Sequence, residues 1–538
     1  MIYIADLQVK DNTGAAVVLR FSEKGFVTEG LTYLGRISTT AYVGQSISID
    51  TSVGGLFTST VGEVVLQNVD RELDYLTDYY PEGGVITLKL YEEGAALASA
   101  TTVFTKYIEQ FVFTRDVISI RLTDNAALLE KPLQVVKYLG DNVLPNGLEG
   151  VTDLKGKEKP LLFGRASNIE AQLVNSSKLI YQIAHNQVDY IINVMTDGAY
   201  IVPSGIAIAS LAALQDDGNI PASGEFTFYS GPEGTYIRLG FILSGSKITF
   251  SGQDKITPLL NTCGQVVKRV LAYFDPTIVV EHDDITLLDN LSADTVGIYV
   301  NSSETVGSLL TQLVTSVGAY AGIDNNNKFR LYYFGNLGGT VLHTLPSTTD
   351  TTKYGITSME IANATYNGKA LPVTTVKLGY DRNYSVMDKA SLAGMVVEEY
   401  ATRADWLSNE YRYASTTGFS PVATAQTLEY NTALTGQVAA DYESSRIVDL
   451  LSPKRYVVTC QVSIPELILK TFLPCGLLRI QYDRYSLTDD KVFVILGIEA
   501  DYKWETATLT LWGPLFINTS NDTGTTLYDS NGLPLVTL

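Results

Sequence analysis

Two stretches that echo each other decide the fold: GVITLKLYEEGAALASATTVFTKYIEQFVFTRDVISIRL at residues 84–122 and GLLRIQYDRYSLTDDKVFVILGIEADYKWETATLTL at residues 476–511. In the first, Gly84 opens a strand, a loop follows, and Val103-Phe104 starts a second strand that ends in Ile108-Glu109; Ile118, Ile120 and Leu122 then alternate along a third. In the second, Gly476 opens a strand, Val492-Phe493 starts the next, Ile498-Glu499 ends it, and Leu509 and Leu511 follow. Side chains alternate across a pleated chain, so apolar residues at every second position mark strands with one buried face. Both copies read as glycine, strand, loop, strand ending in Ile-Glu, connection, strand, which predicts an internal duplication. Chance recurrence of short strand patterns in a β-rich chain is the competing explanation. A duplicated unit has a geometric consequence: three copies of such a chain make a ring of six similar units, able to mate with a hexameric tube.

The rest of the composition agrees with a β-rich, multi-domain chain. At 538 residues it exceeds a single-core unit several-fold, so three or four domains are expected. Charged residues make up only 18% while Tyr alone supplies 33 positions, a balance that favours half-buried pleated surfaces over solvated helices. The formal charge of −20 comes without a basic stripe, which argues against binding to phosphate backbones through counterion release. Solubility at high concentration explains that acidity, and so does an anionic lumen past which DNA slides. Cys263, Cys460 and Cys475 form no CxxC and sit in apolar surroundings, so buried thiols are expected in place of disulfides or zinc. The start MIYIADLQVKDN has no secretory pattern, and no apolar run approaches the ~18 residues of a membrane span; synthesis in a cytoplasm is the expectation.

Along the chain, runs at 2–9 and 16–21 flank Asp-Asn-Thr-Gly and predict a hairpin. A short helical link is expected at 124–139, limited by Pro132, and a boundary in the Gly/Asn/Lys-rich stretch 140–160. Strands should dominate 161–255, with a short helix at 206–214. Two amphipathic helices are predicted at 257–273, with Leu259, Leu260, Cys263, Val266, Val267, Val270 and Leu271 on one face, and at 304–319. A third is predicted at 435–451, stopped by Ser452-Pro453, with Val438, Ala439, Tyr442, Ile447 and Leu450 as its apolar positions.

Catalytic chemistry is not visible. The three histidines, His185, His282 and His343, have no persuasive partner set. Glu281-His282-Asp283-Asp284 reads as an acidic surface loop before it reads as a cation site, and Asp324-Asn325-Asn326-Asn327 as a tight turn before a calcium loop. Glu398-Glu399 and Asp489-Asp490 are adjacent, so in a strand their carboxylates would diverge. No HExxH, G-x-S-x-G or phosphate-binding glycine loop is present. The expectation is a non-enzyme with no catalytic residues, no cofactor and no metal.

Four stretches carry a family likeness: DNAALLEKPLQVVKYLG at 124–140, DLKGKEKPLLFGRASNIEAQLV at 153–174, GTYIRLG at 234–240, and DRYSLTDDKVFVILGIEADYKWETATLTLWG at 483–513. With the helix-then-strand segment at 303–334, the chain resembles the baseplate-hub or tail-tip proteins of long-tailed bacteriophages, related to the tail hubs of gene transfer agents. The resemblance implies a mainly β fold with α+β insertions and two similar tube-type β-barrel domains. In this chain they correspond to an N-terminal hairpin or arm at 1–30, a first barrel at 31–140, a β-rich hub domain at 141–255, an α+β domain with two amphipathic helices at 256–345, a second barrel with helix 435–451 at 346–517, and a C-terminal extension at 518–538. It also implies a homotrimer in the virion at the tail tip, in contact with tail tube or distal tail ring proteins, tape-measure protein and tail fibre or receptor-binding proteins, with DNA passing unbound. Larger relatives carry a fibre or receptor-binding extension that is not evident after residue 515, and an iron–sulfur cluster known in some relatives finds no support in three scattered cysteines. A distal tail or host-glycan-binding attachment protein is the alternative reading.

Overall fold

A computed structural model of the chain describes residues 1–39, 42–123, 126–143, 146–241, 246–335, 339–347, 354–363, 372–420, 425–485, 487 and 491–515. The expected extension at 518–538 and Asp489-Asp490 lie outside the described residues. The protein is mainly β and multi-domain.

The first sheet is built on the leading hairpin, Ile2–Lys10 and Ala16–Ser22. Its turn forms because Asp11 Oδ1 accepts from the Thr13 and Ala15 amides at 2.8 and 3.0 Å, and Gly14 takes φ 84°, a conformation that a side chain would oppose. The hairpin is not a separate arm: Ile2–Lys10 pairs along most of its length with Tyr80–Tyr91, so residues 1–30 belong to the first barrel. Beyond that strand follow Thr101–Phe113, Val117–Thr123 and Val64–Gln67, all antiparallel. The segment 31–39 then closes the sheet on itself. Its first half, Leu31–Gly35, lies beside Ala16–Ser22, its second half, Ile37–Thr39, lies beside Val64–Gln67, and between them Arg36 donates its amide to the Ser22 carbonyl (2.8 Å) and accepts from the Gln67 amide (2.7 Å).

The last sheet runs Val341–Pro346, Leu477–Gln481, Lys491–Asp501, Thr506–Leu515, Tyr456–Ser463, Gly355–Asn363. A bridge between Ser347 and Ile356 brings its two end strands together and closes a second barrel. Both barrels share one strand order. The meander Tyr80–Tyr91, Thr101–Phe113, Val117–Thr123 corresponds to Leu477–Gln481, Lys491–Asp501, Thr506–Leu515, and in each case the strand that precedes the meander in sequence returns beside its third member. That return is the Greek-key connection. The echo in sequence is therefore an echo in topology, with two differences: the first barrel closes through one more strand than the second, and the strand flanking the meander is antiparallel in the first barrel and parallel in the second.

Between the barrels lie a nine-stranded sheet and an α+β unit. Eight strands of that sheet come from 161–253, and its edge strand Gly297–Val300 crosses from the expected α+β region to pair with Leu161–Glu170. The approach there is close enough that a Cβ on Gly297 would lie 1.9 Å from the Arg165 carbonyl oxygen. The α+β core packs Cys263–Phe274 and Val306–Thr315 over Ala319–Ile323 and Phe329–Tyr333. The predicted helix at 257–273 begins later, because Pro258–Asn261 is a 3-10 turn, and that turn leaves Leu259 and Leu260 exposed. The short helix expected at 206–214 is confined to Leu211–Gln215, started by the Ser210 side chain.

The helix Gln437–Leu451 does not belong to the wall of the second barrel. It packs on a three-stranded sheet, Arg412–Thr417, Val373–Tyr380 and Gln426–Asn431, inserted between two barrel strands. Two of its apolar positions, Val438 and Tyr442, face outwards, and the buried face instead holds Glu443. Arg446 reaches Glu443 through two charge-assisted bonds of 2.7 and 2.6 Å and donates to the Phe334 carbonyl at 2.8 Å, which satisfies the buried charge. Removing one partner strands the other. Arg446→Ala should cost about 3–5 kcal/mol in urea unfolding, and Arg446→Met with Glu443→Leu should recover most of it; equal loss in both variants would contradict a paired role.

Candidate functional site

The residues singled out for chemistry are dispersed and structurally employed. His185 is half-buried near Lys159, and burial followed by that positive charge lowers its pKa. His343 lies on a barrel strand beside Phe472, ring centroids 6.4 Å apart, and burial lowers its pKa too. His282 opens a helix, His282–Leu291, where a loop was expected. Its neighbours are occupied: Glu281 pairs with Lys328, and Asp284 accepts from Arg330 at 2.6 and 3.0 Å and from the Leu331 amide at 3.1 Å. Asp324 fastens the following turn through the Asn326 and Lys328 amides, with Asn327 at φ 59°. Glu398 and Glu399 sit on the helix Gly394–Glu399, not on a strand. Among the described residues no group of three or more His, Cys, Asp or Glu could hold a metal ion, and no helix is long and apolar enough to cross a membrane.

What the fold does assemble is a joint between the two barrels. After Ile37–Thr39 the chain leaves the first barrel, and Val43–Ser46 pairs antiparallel with residues 497–500 of the second. The long strand Lys491–Asp501 is thus shared: Leu477–Gln481 covers residues 491–494, and the crossing strand covers residues 497–500. Thr58–Val61 pairs back along Val43–Ser46 before Val64–Gln67 returns to the first barrel. Gly44 permits the approach, since a Cβ there would lie 2.4 Å from Thr60 Oγ1 and 3.2 Å from the Ile498 carbonyl oxygen.

Polar contacts lock the joint. Lys106 points inward from Thr101–Phe113 and is fully buried; its Nζ donates to Ser59 Oγ at 2.9 Å and lies 3.4 Å from the Asp324 carbonyl oxygen. Ser59 in turn donates to Asn325 Oδ1 at 2.5 Å, and the Thr105 amide donates to the Asn325 carbonyl at 2.8 Å. One lysine thereby connects the first barrel, the crossing strands and the α+β unit. On another flank the buried Tyr3 hydroxyl donates to Asp501 Oδ1 at 3.3 Å and accepts from the Lys503 amide at 3.1 Å, while Lys503 pairs with Glu23. Burial, then the negative charge of Asp501, raises the Tyr3 pKa, so the hydroxyl stays a donor. The interiors of both barrels form one contiguous apolar cluster, from Tyr3 and Phe104 through Leu478, Phe493 and Leu511.

Sequence reading missed the joint, yet one signal was present. Phe104, Lys106 and Ile108 occupy the same face of an alternating strand, and a lysine on an inward face marks a buried polar contact. The short, glycine-containing stretch 43–46 carries no such mark.

No family model and no curated protein matches the chain. Among solved structures it is similar to the tail protein from Neisseria meningitidis, at 10% identity over 95% of this chain and 96% of that one, TM-score 0.40. It is also similar to a prophage tail protein from Listeria monocytogenes, at 10% identity over 95% and 96% of the two chains, TM-score 0.39. A chain from the virion of a native gene transfer agent aligns at 13% identity over 72% of this chain and 92% of its own, TM-score 0.42.

The three cysteines are buried and unpaired with one another. Burial pushes the Cys460 thiol up to about 12 and raises Cys263 and Cys475 further, so no thiolate is available as nucleophile or ligand. A thiol reagent such as Ellman's at pH 8 should label none of them in the folded chain and all three in urea; rapid labelling of any one before unfolding would show a reactive site here.

Proposed function

We propose that the chain is a structural hub at the tip or baseplate of a phage-type tail. Three copies set six barrels in a ring that caps the tail tube, joins it to distal fibres or attachment proteins, and leaves a channel for tape-measure protein and DNA. The reading is carried by one observation: two barrels of the same strand order are fused into a single apolar cluster within one chain. Threefold repetition of a two-barrel chain gives a ring with near-sixfold contacts, which is what a threefold part needs to meet a sixfold tube. Fusion matters for that role, because barrels free to swing would not hold a common radius.

The chemistry fits a conduit and an adaptor. A net charge of −20 repels a passing polyanion, so DNA crosses without the counterion release that makes binding tight. The proposal assigns no catalysis and no cofactor; the dispersed histidines and the carboxylates engaged with Lys328 and Arg330 support that assignment. Synthesis in the host cytoplasm and assembly into the virion at the tail tip complete the reading. The alternative of a distal tail or host-glycan-binding attachment protein predicts glycan binding as the main activity of the isolated chain.

Native mass spectrometry of the purified chain checks the ring. The expected result is a trimer, or a monomer that becomes trimeric when tail-tube protein is added. A stable dimer that ignores tube protein would refute the hub reading.

A further inference from the structure

A cleft of about 510 Å³ lies where the nine-stranded sheet meets the inserted helix Ala401–Leu407, and nothing in the hub role uses it. Its volume falls in the ~300–1,000 Å³ range of small-molecule sites. In a chain of net charge −20 its walls carry three arginines, Arg165, Arg403 and Arg412, against one carboxylate among the described residues, Asp381. Arg412 lies 3.7 Å from Asp381, whereas neither Arg165 nor Arg403 has an ion pair among the described residues.

Aromatic side chains hold these cations in place. The Arg403 guanidinium sits over the Tyr200 ring at 3.9 Å and over the Tyr400 ring at 4.6 Å, and Arg412 lies 5.7 Å from the Trp406 ring centre. Stacking fixes the plane of a guanidinium while leaving its in-plane N–H fork available to a carboxylate or phosphate. Both tyrosines are well exposed, so the side of the cleft that they form is open to a ligand. The remaining lining includes the hydroxyls of Ser167, Ser251, Thr402 and Thr435; Ser251 Oγ accepts from the Asn168 amide and Thr435 Oγ1 donates to the Thr295 carbonyl, so Ser251 can still donate and Thr435 still accept, a surface suited to a hydroxylated ring and poorly suited to a lipid or a nucleobase.

We propose that this cleft binds an anionic saccharide, a pyranose ring that carries a carboxylate or a phosphate, with Arg403, held by Tyr200 and Tyr400, gripping the anion and the hydroxyl-lined wall facing the ring. The inference does not depend on the ring of barrels, because the cleft is built within one chain.

Calorimetric titration of the full chain with glucuronate, glucose 6-phosphate, glucose, inorganic phosphate and AMP tests it. Binding of glucuronate or glucose 6-phosphate is expected, with glucose and inorganic phosphate at least about tenfold weaker; which acidic sugar binds tells whether the anion is a carboxylate or a phosphate. Arg403→Ala should lower that affinity about tenfold, Arg403→Lys should also weaken it because the fork is lost, and the melting temperature should not move. Tyr200→Ala, at an exposed ring, gives a second variant that leaves the core intact. Failure of both acidic sugars to bind, equal binding of inorganic phosphate, tighter binding of AMP, or an Arg403→Ala affinity within twofold of the parent would overturn the proposal.

Discussion

Everything in this structure hangs on a crossing segment. Residues 43–61 leave one barrel, complete a strand edge of the other and return, so that residues 43–46 share hydrogen bonds with residues 497–500, more than 450 positions later in sequence. Such non-local pairing is slow to form because the intervening loop must close first, but once made it couples the barrels through backbone bonds as well as side-chain contacts. Gly44 allows the approach, and buried Lys106 secures it on three sides.

The second barrel shows how the joint and the flanking units fit together. Along Lys491–Asp501, Phe493 and Ile495 turn into the cluster shared with the first barrel, while Val492, Val494 and Leu496 turn outwards against Ile447, Val448 and Trp512. A strand buried on both faces reads as a continuous apolar run, and VFVIL at 492–496 is such a run. The inserted unit with Glu443 and Arg446 thus forms part of the packing around the barrel while its outer surface, with the arginine-lined cleft nearby, stays available.

Much of this was legible in the sequence, and the failures have physical causes. The meanders, the helix stripes at 263–274 and 306–315 and the buried cysteines followed from periodicity, because one side of each element faces a core. The hairpin at 1–30 reads as an arm in isolation; only pairing with residues 80–91 makes it a barrel wall. Helix His282–Leu291 was hidden by its acidic start, whose charge suits a helix N-terminus as well as it suits a loop. Val438 and Tyr442 have the spacing of a buried stripe but lie on the outer face, since the buried Glu443–Arg446 pair sets the rotation of that helix. The arginine cleft could not be read at all: its residues come from segments spread between 165 and 435.

The central claim is that one chain supplies two equivalent barrels at a fixed spacing, so that three chains present six to a tube. Electron-microscopy class averages of the purified protein mixed with its tail-tube protein test it most directly. The account predicts rings with six similar lobes around an open channel, threefold on one face and matched to the tube on the other. Compact particles without a channel, or barrels at variable separation, would contradict it.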